Sequence, residues 1–584
     1  MMKHLLRRTL VICLIASSWL YVNAQDPSEG IIEMGDTLLI QPTYDGSILN
    51  ALNNWILWDH DGDYANSPKH AVYKLLRNNV YVIQTTTNIN GRLALVADKP
   101  DKDNKPPQII PLNDGENAFP WLMFKGGPFT MKNIYFTALN ATTKSNDSWQ
   151  HLFQLTVADE VTIIDGCHFE NLNAHLLKVG NDGNKIYMTN NFFSDGGAGW
   201  PAIWQANFFN SEAFMQDTLV IRNNTYMNTP GNLINVRQQM TRYAEVSNNT
   251  MINCGGYPFF TTFWIDATIK NNLFYNVLAV GEDEKVRAAQ DPDGQAFSFI
   301  NIDTLAGEFE MKDPSWYERE SERSLVVKNN YIGYDDEVEA IWAGRDSVFA
   351  PTWMNERTLA FFADKTNYPL LVEENNATKA DVGLPTFVTP IPTLDDFVTW
   401  IDEGVWGNPQ TSGLRFLWEP ADAEEVPNND LDWLPLEDLR LTSAAFVGDD
   451  GLPLGDLNWY PKYAERWDMT GWNRDEGDIT DPTAVKDYSA LLSGISLEQN
   501  YPNPFTNETQ INLVLDQSEN ISLSVYDITG RRVRTLISGQ KFAGSHTVVW
   551  DGTSSSGQDL PGGMYLLHLE TDSQVATARM IKQK

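Results

Sequence analysis

Short stretches of alternating apolar and polar residues run along most of the chain, and paired asparagines punctuate them. One phrase recurs between about residues 129 and 334: an alternating stretch, an Asn pair, then an aromatic or aliphatic residue. It reads Ile186-Tyr187-Met188-Thr189-Asn190-Asn191-Phe192-Phe193, then Val220-Ile221-Arg222-Asn223-Asn224-Thr225-Tyr226 and Val246-Ser247-Asn248-Asn249. Two more copies are Thr268-Ile269-Lys270-Asn271-Asn272-Leu273-Phe274 and Val326-Val327-Lys328-Asn329-Asn330-Tyr331, with weaker ones at Lys132–Phe136 and Ile164–Phe169. Period-two alternation specifies strands rather than helices. Self-similarity at a period in the twenties specifies a solenoid. The Leu-x-x-Leu-x-Leu frame of leucine-rich repeats is absent. The pattern therefore predicts an all-β chain built as a right-handed, single-stranded parallel β-helix, its equivalent residues stacked at about 4.8 Å. The last interval, Asn271 to Asn329, is long enough for two turns. Asparagine suits a repeated bend because it tolerates left-handed backbone angles and can bond the next Asn amide in a ladder.

The flanks of the repeat differ in character. Asp45 to Trp58 reads as a short amphipathic cap over the open end, and Tyr81–Ile83 and Leu93–Val96 as first-coil strands. Residues 25–345 are thus expected to form the capped β-helix. Beyond Asp346 the repeat fades into Pro, Trp and acidic residues, so 346–490 reads as an irregular extension and linker. From Leu491 alternation returns at Ile521, Leu523 and Val525 and again at Thr547 and Val549. Gly530, Gly544, Gly552, Gly562 and Gly563 supply turns. Residues 491–584 are therefore expected to be a small antiparallel Ig-like β-sandwich.

That final segment carries motifs in order: Tyr501-Pro502-Asn503-Pro504-Phe505, Val525-Tyr526-Asp527 with Gly530-Arg531, Trp550-Asp551-Gly552, Gly563-Met564-Tyr565, and the basic end Lys582 to Lys584. It closely resembles the type A C-terminal sorting domain of proteins exported by the type IX secretion system of Bacteroidota-like bacteria. The resemblance implies that this segment engages the type IX machinery. At the other end, Lys3, Arg7 and Arg8 precede an apolar stretch from Leu10 to Leu20 and the small-residue site Val22-Asn23-Ala24, the layout of a secretory signal peptide over residues 1–24. No other apolar run is long enough to cross a bilayer. The expected location is secreted or on the outer-membrane cell surface, reached through the periplasm.

Charge and cysteine usage narrow the partners. With 42 Lys+Arg against 77 Asp+Glu the chain has a formal net charge of −35. That balance disfavours nucleic acid and anionic lipid, and suits a polyanionic substrate only through a local basic patch. Beyond the leader, Cys167 and Cys254 fall in coils about three apart, roughly 14 Å by strand spacing. That exceeds disulfide reach, so both read as buried thiols.

Chemistry is best sought on the strand that precedes each Asn phrase. Aligned segments His151–Leu155, His175–Val179, Ala202–Ala206, Asn232–Val236 and Pro258–Thr262 give a fourth-position row Gln154, Lys178, Gln205, Asn235 and Thr261, expected to face outward. Arg237 lies two residues beyond Asn235, and His151 and His175 lie at the near edge. Gln154, Gln205, Asn235 and Trp204 are the candidate substrate-binding residues for an extended polysaccharide. The architecture resembles, in general form, the pectin-lyase-like polysaccharide lyases, which implies Lys178 as base and Arg237 as carboxylate partner, with His175 nearby. The chemistry would be proton abstraction with electrostatic stabilisation. Equally, Lys178, Arg237 and His175 can be ordinary residues of a polar face, and the chain a non-catalytic glycan-binding or adhesive protein. Asp59, Asp61 and Asp63 alternate as calcium-loop carboxylates do, but Tyr64 replaces the EF-hand glycine and His70 the closing Glu. They read as a possible Ca2+ site or a solvated acidic loop.

Overall fold

The computed structural model describes residues 31–40, 52–283, 298–305, 320–405, 439–460 and 495–583, apart from short breaks and the longer ones at 112–121, 138–150 and 197–207. The leader and the first half of the expected cap segment lie outside these residues. The chain forms two compact units, Met1–Gly477 and Asp478–Lys584.

In the first unit the alternating stretches become strands of three long sheets. The first sheet has 12 strands, running from Ile31–Met34 and Thr37–Ile40 through Asn184–Thr189, Gln216–Arg222, Thr241–Ser247, Trp264–Lys270 and Ser324–Lys328 to Leu371–Glu374. The second has 10, from Val80–Ile83 to Ala377–Thr378, and the third has 7, from Thr87–Asn90 to Phe259–Phe260. Seven successive coils supply one strand to each sheet in turn, the last three described coils supply only the first two sheets, and neighbouring coils pair in parallel. The arrangement is compatible with a parallel β-helix. The antiparallel hairpin of Ile31–Met34 with Thr37–Ile40 closes one edge of the first sheet. Beside it helix Leu52–Asp59 buries Leu52, Trp55 and Ile56.

Inward positions stack by register into columns. Met131, Ile164, Met188, Ile221, Val246, Ile269 and Val327 follow one another on the first sheet, all buried. On the second sheet Phe169, Phe193 and Tyr226 stack almost parallel, with ring centroids 5.3 and 4.8 Å apart.

The bend between these two sheets explains the asparagines. The first Asn of each pair takes the left-handed conformation, as at Asn190 (φ 56°), Asn223 (φ 59°), Asn248 (φ 54°) and Asn271 (φ 56°). The second points inward and forms a ladder. Each Nδ2 donates to the next Oδ1, from Asn191 to Asn224 (3.0 Å), Asn249 (2.9 Å), Asn272 (2.9 Å), Asn330 (2.8 Å) and Asn376 (2.9 Å). The same amides satisfy backbone groups that no strand pairing reaches. Asn249 Nδ2 also donates to Ile221 O, and its Oδ1 accepts the Asn224 backbone N–H. Buried backbone groups need partners, and here one side-chain type supplies them coil after coil.

Three expectations are corrected. The long interval after Asn271 is one coil, not two, because Lys270 pairs directly with Lys328. The extra residues form an excursion whose Phe299, Ile300 and Ile302 enter the core. The repeat also does not end near Asp346: Leu371–Glu374 and Ala377–Thr378 add another coil around Asn375-Asn376. Tyr81–Ile83 and Leu93–Ala97 belong to successive coils and different sheets. The Pro/Trp-rich extension is part of the same unit. Its Leu439, Leu452, Leu457, Trp459 and Tyr460 pack on Tyr135, Phe192, Met227, Ile252 and Tyr275, which line the outer face of the second sheet.

Cys167 and Cys254 are free and buried, and burial pushes both thiols up to about 12. Neither is expected to react with a thiol reagent in the native protein at neutral pH, and both should react once it is unfolded. A thiol titration with and without denaturant checks this.

The second unit is an antiparallel pair of sheets, one with strands Ile495–Leu497, Thr509–Leu515 and Gly544–Trp550. The other has Arg532–Lys541, Glu519–Asp527, Gly563–Thr571 and Val575–Lys582. Ile521, Leu523 and Val525 face the core as expected, around Trp550 and Phe505. The second alternation is out of phase by one residue: Val548 packs inward beside Trp550, while Val549 is 55% exposed.

Candidate functional site

The third sheet carries the row singled out from the sequence, and its register decides which residues share a face. Gln154 pairs with Lys178, Lys178 with Asn210, Asn210 with Asn235, and Asn235 with Phe260; Met123 precedes Gln154. Gln205, Trp204 and Arg237 lie outside the described residues. The strand of that coil is Phe209–Asn210, so Asn210 stands where the alignment had placed Gln205. Phe260 likewise replaces Thr261 in the row. Lys178, Asn210 and Asn235 stand 12 or 13 residues before their Asn pairs, whereas Gln205 stands 18 before Asn223, so the alignment slipped within the long interval between Phe192–Ser194 and Phe209–Asn210.

Exposure divides this row. Gln154 and Lys178 are half-buried, whereas Asn210 and Asn235 are each 4% exposed. The polar track thus has two adjacent members at its surface among the described residues and does not extend outward over Asn235. His175 is buried, and the Asn210 amide donates to its Nε2 at 2.8 Å. His175 and His151 share a register position, as the sequence placed them.

The aspartates are separated. Helix Leu52–Asp59 ends at Asp59, whose phase puts it on the core side with Leu52, Trp55 and Ile56. Its carboxylate accepts His70 Nδ1 at 2.5 Å, the His70 backbone N–H at 3.1 Å and Tyr73 OH at 2.8 Å. Asp61 turns to solvent and pairs with Lys69 at 2.5 Å, and Asp63 is exposed. The carboxylates that a calcium loop needs to converge point in opposite directions. Among the described residues no group of three or more His, Cys, Asp or Glu could hold a metal ion.

Two polar clusters escaped the sequence reading. On the second sheet His168 Nε2 lies 3.0 Å from Glu170, Tyr135 OH donates to Glu170 at 2.5 Å, and the Tyr135 ring stacks on His168 at 4.6 Å. Burial pushes the Glu170 carboxyl up, but the adjacent His168 charge and the hydrogen bonds from His168 and Tyr135 outweigh it, leaving it below its usual range. A second ladder runs Asn228, Asn253, Asn276, each at positive φ, and ends on Asp335. Its signal was an Asn five residues after the first Asn of each pair.

The sorting-type motifs prove to be the joints of the second unit. Asn503 accepts from the Ile581 N–H at 2.8 Å and donates to Arg579 O at 3.1 Å; Phe505 donates to Ile581 O at 2.9 Å and accepts from Gln583 at 2.7 Å. Lys582 is buried and its ammonium donates to Leu560 O at 2.7 Å beside Asp559. Gly552 (φ 71°) lets that side chain pass, since a Cβ there would lie 2.6 Å from Lys582 Cε.

Residues 502–574 match the FlgD Ig-like domain family. The basal-body rod modification proteins FlgD of Salmonella typhimurium and Salmonella typhi are each 33% identical over 78 residues, which is 13% of this chain and 32% of theirs. The chain therefore spans about a third of the length of the curated relatives it matches. Among solved structures, dimeric latent PorU from Porphyromonas gingivalis is 21% identical, with a TM-score of 0.14, over 15% of this chain and 9% of that one. PorZ, an essential bacterial surface component of the type-IX secretion system of the same organism, is 18% identical with a TM-score of 0.13, over 17% and 12%. FlgD from P. aeruginosa is 33% identical with a TM-score of 0.12, over 13% and 59%.

Proposed function

We propose that this is an exported protein of the cell surface or medium: a right-handed, single-stranded parallel β-helix whose final unit is the address read by a type IX secretion machinery. The observation that carries this reading is the use of the sorting-type motifs in the final unit. Asn503 and Phe505 bond the last strand, Val575–Lys582, through Arg579 and Ile581, and Lys582 reaches past Gly552 to Leu560 O. The match to the FlgD Ig-like family over residues 502–574 supports the fold of the address and leaves its reader as part of the proposal. In a host with type IX export, the full chain is expected at the cell surface or in the medium. A chain ending before Leu491 is expected to remain in the periplasm. Equal release of both would overturn the reading.

The third-sheet flank is proposed to contact an extended polysaccharide through Gln154 and Lys178. The buried, hydrogen-bonded His175 favours a binding role over turnover, since its Nε2 is occupied by Asn210. A lyase using Lys178 and Arg237 is the second reading. Incubation with alginate, pectate and glycosaminoglycans, followed by ultraviolet absorbance of unsaturated products, separates them. Product formation lost in Lys178→Ala supports the lyase; binding without product supports the binder.

A further inference from the structure

Taking the final unit as the address of an exported chain, we propose that its reader is a protein that docks on the outer face of the four-stranded sheet. The docking surface is an apolar patch bracketed by Arg532 and Arg579, and it fits a partner surface that is apolar with a carboxylate rim. Alternation separates the two faces of this sheet. Val525, Tyr565, Leu567 and Met580 enter the core, so Tyr526, Met564, Leu566, Arg579 and Ile581 point away from it. Register sets them side by side: Arg532 opposes Tyr526, Tyr526 opposes Leu566, and Leu566 opposes Arg579. That row spans three strand spacings, roughly 14 Å. Met564 opposes Ile581 in the adjoining outward row. Met564, Leu566 and Ile581 are 47%, 39% and 45% exposed, and both arginines are exposed. Exposed apolar side chains that cluster rather than scatter mark interaction sites, and Tyr, Met and Arg are the residues interfaces favour.

Two of the sorting-type motifs divide between the faces in the same way. In Val525-Tyr526-Asp527 and Gly563-Met564-Tyr565 the core takes Val525 and Tyr565, while Tyr526 and Met564 stand on the patch. Core packing accounts for the first pair and not for the second. Charge and edge chemistry then choose the occupant. Neither row holds an acid. On the same face Glu570 stands four residues along its strand from Leu566, and Asp527, beside Tyr526, pairs with Arg531 at 3.0 Å. A second copy docked through this face would align the row with itself and set arginine against arginine. An anionic bilayer would meet a chain of net charge −35. A strand added at the last strand's edge is blocked around Arg579 and Ile581, where Asn503 and Phe505 already hold the backbone groups. A protein surface that offers carboxylates to the two arginines meets none of these obstacles.

Export of face variants of the full chain, in a host with type IX export, tests this. The triple variant Met564→Thr, Leu566→Thr, Ile581→Thr is expected to be released about tenfold less than the parent and to accumulate in the periplasm. Threonine suits a strand, and an unfolding profile of the purified full chain matching the parent's shows that the variant is folded. Val549→Thr, at a 55% exposed apolar position on the other sheet, is expected to be released as the parent is. Should the triple variant fail to fold, Arg532→Glu with Arg579→Glu is expected to lower release in the same direction. Retention of the chain ending before Leu491, with normal release of the folded face variants, overturns the docking face and leaves the address reading standing. Equal release of that truncated chain overturns both. The docking face is also overturned by an equal loss in Val549→Thr, by a dimer of the purified chain that the threonine substitutions dissociate, or by binding to phosphatidylglycerol vesicles that they abolish.

Discussion

Asn249→Ala is expected to destabilise the first unit by about 3–5 kcal/mol, as two or more buried groups lose their partners at about 1–3 kcal/mol each. The side chain is fully buried. Its Nδ2 serves Ile221 O and Asn272 Oδ1, and its Oδ1 serves the backbone N–H and Nδ2 of Asn224. Alanine removes these bonds and leaves Ile221 O and the Asn224 N–H and Nδ2 without that partner. The paired control is Asn329→Gly. Asn329 holds φ 51°, which glycine adopts without strain, so this change should cost under about 1 kcal/mol. Chemical denaturation of both variants checks the contrast. Equal losses would mean that the ladder bonds are not what holds the bend.

The second large effect concerns acidity. Asp456 is fully buried where the extension crosses the second sheet. Its carboxyl accepts Thr225 OH and the Asn458 N–H, each at 2.8 Å, and its own N–H donates to Thr250 Oγ1. Burial pushes the carboxyl from 3.8 up to about 8. The native group therefore keeps a proton that the unfolded chain has already lost. Its contribution to stability is full below about pH 4 and is lost as pH rises through about 8. Asp456→Asn removes this titration. The thermal midpoint of the parent is expected to fall by several degrees more than that of the variant between about pH 5 and pH 9. Parallel decline of the two would show that Asp456 does not titrate in this range.

How far the sequence could be read depended on the physics behind each signal. The Asn pairs were legible because a left-handed bend restricts residue choice, and the structure places them at one bend in successive coils. The coil after Asn271 was misjudged because length alone cannot separate two turns from one turn with an excursion. Asn375-Asn376 was passed over because its strand, Leu371-Val372-Glu373-Glu374, loses alternation at the end of the stack. The third-sheet row was harder still. Its strands shrink to two residues at Phe209–Asn210 and Ile234–Asn235, too short to carry a period, and the alignment slipped at Gln205. Asp59 misled for another reason: sequence spacing gives carboxylates every second residue but not the helix end that turns one of them inward.

The excursion between Val277 and Ser324 returns to the stack with Asp266 opposite Ser324 and Lys270 opposite Lys328. Among the described residues it is anchored at Leu278, Ala279 and Val280, at Glu282–Asp283 against Val348–Phe349, at Phe299, Ile300 and Ile302, and at Arg323. A scaffold that resumes its count after such a detour has separated loop length from frame. Foreign peptides grafted into that detour, clear of its anchors, would be carried as cargo while the cylinder on either side kept its alignment.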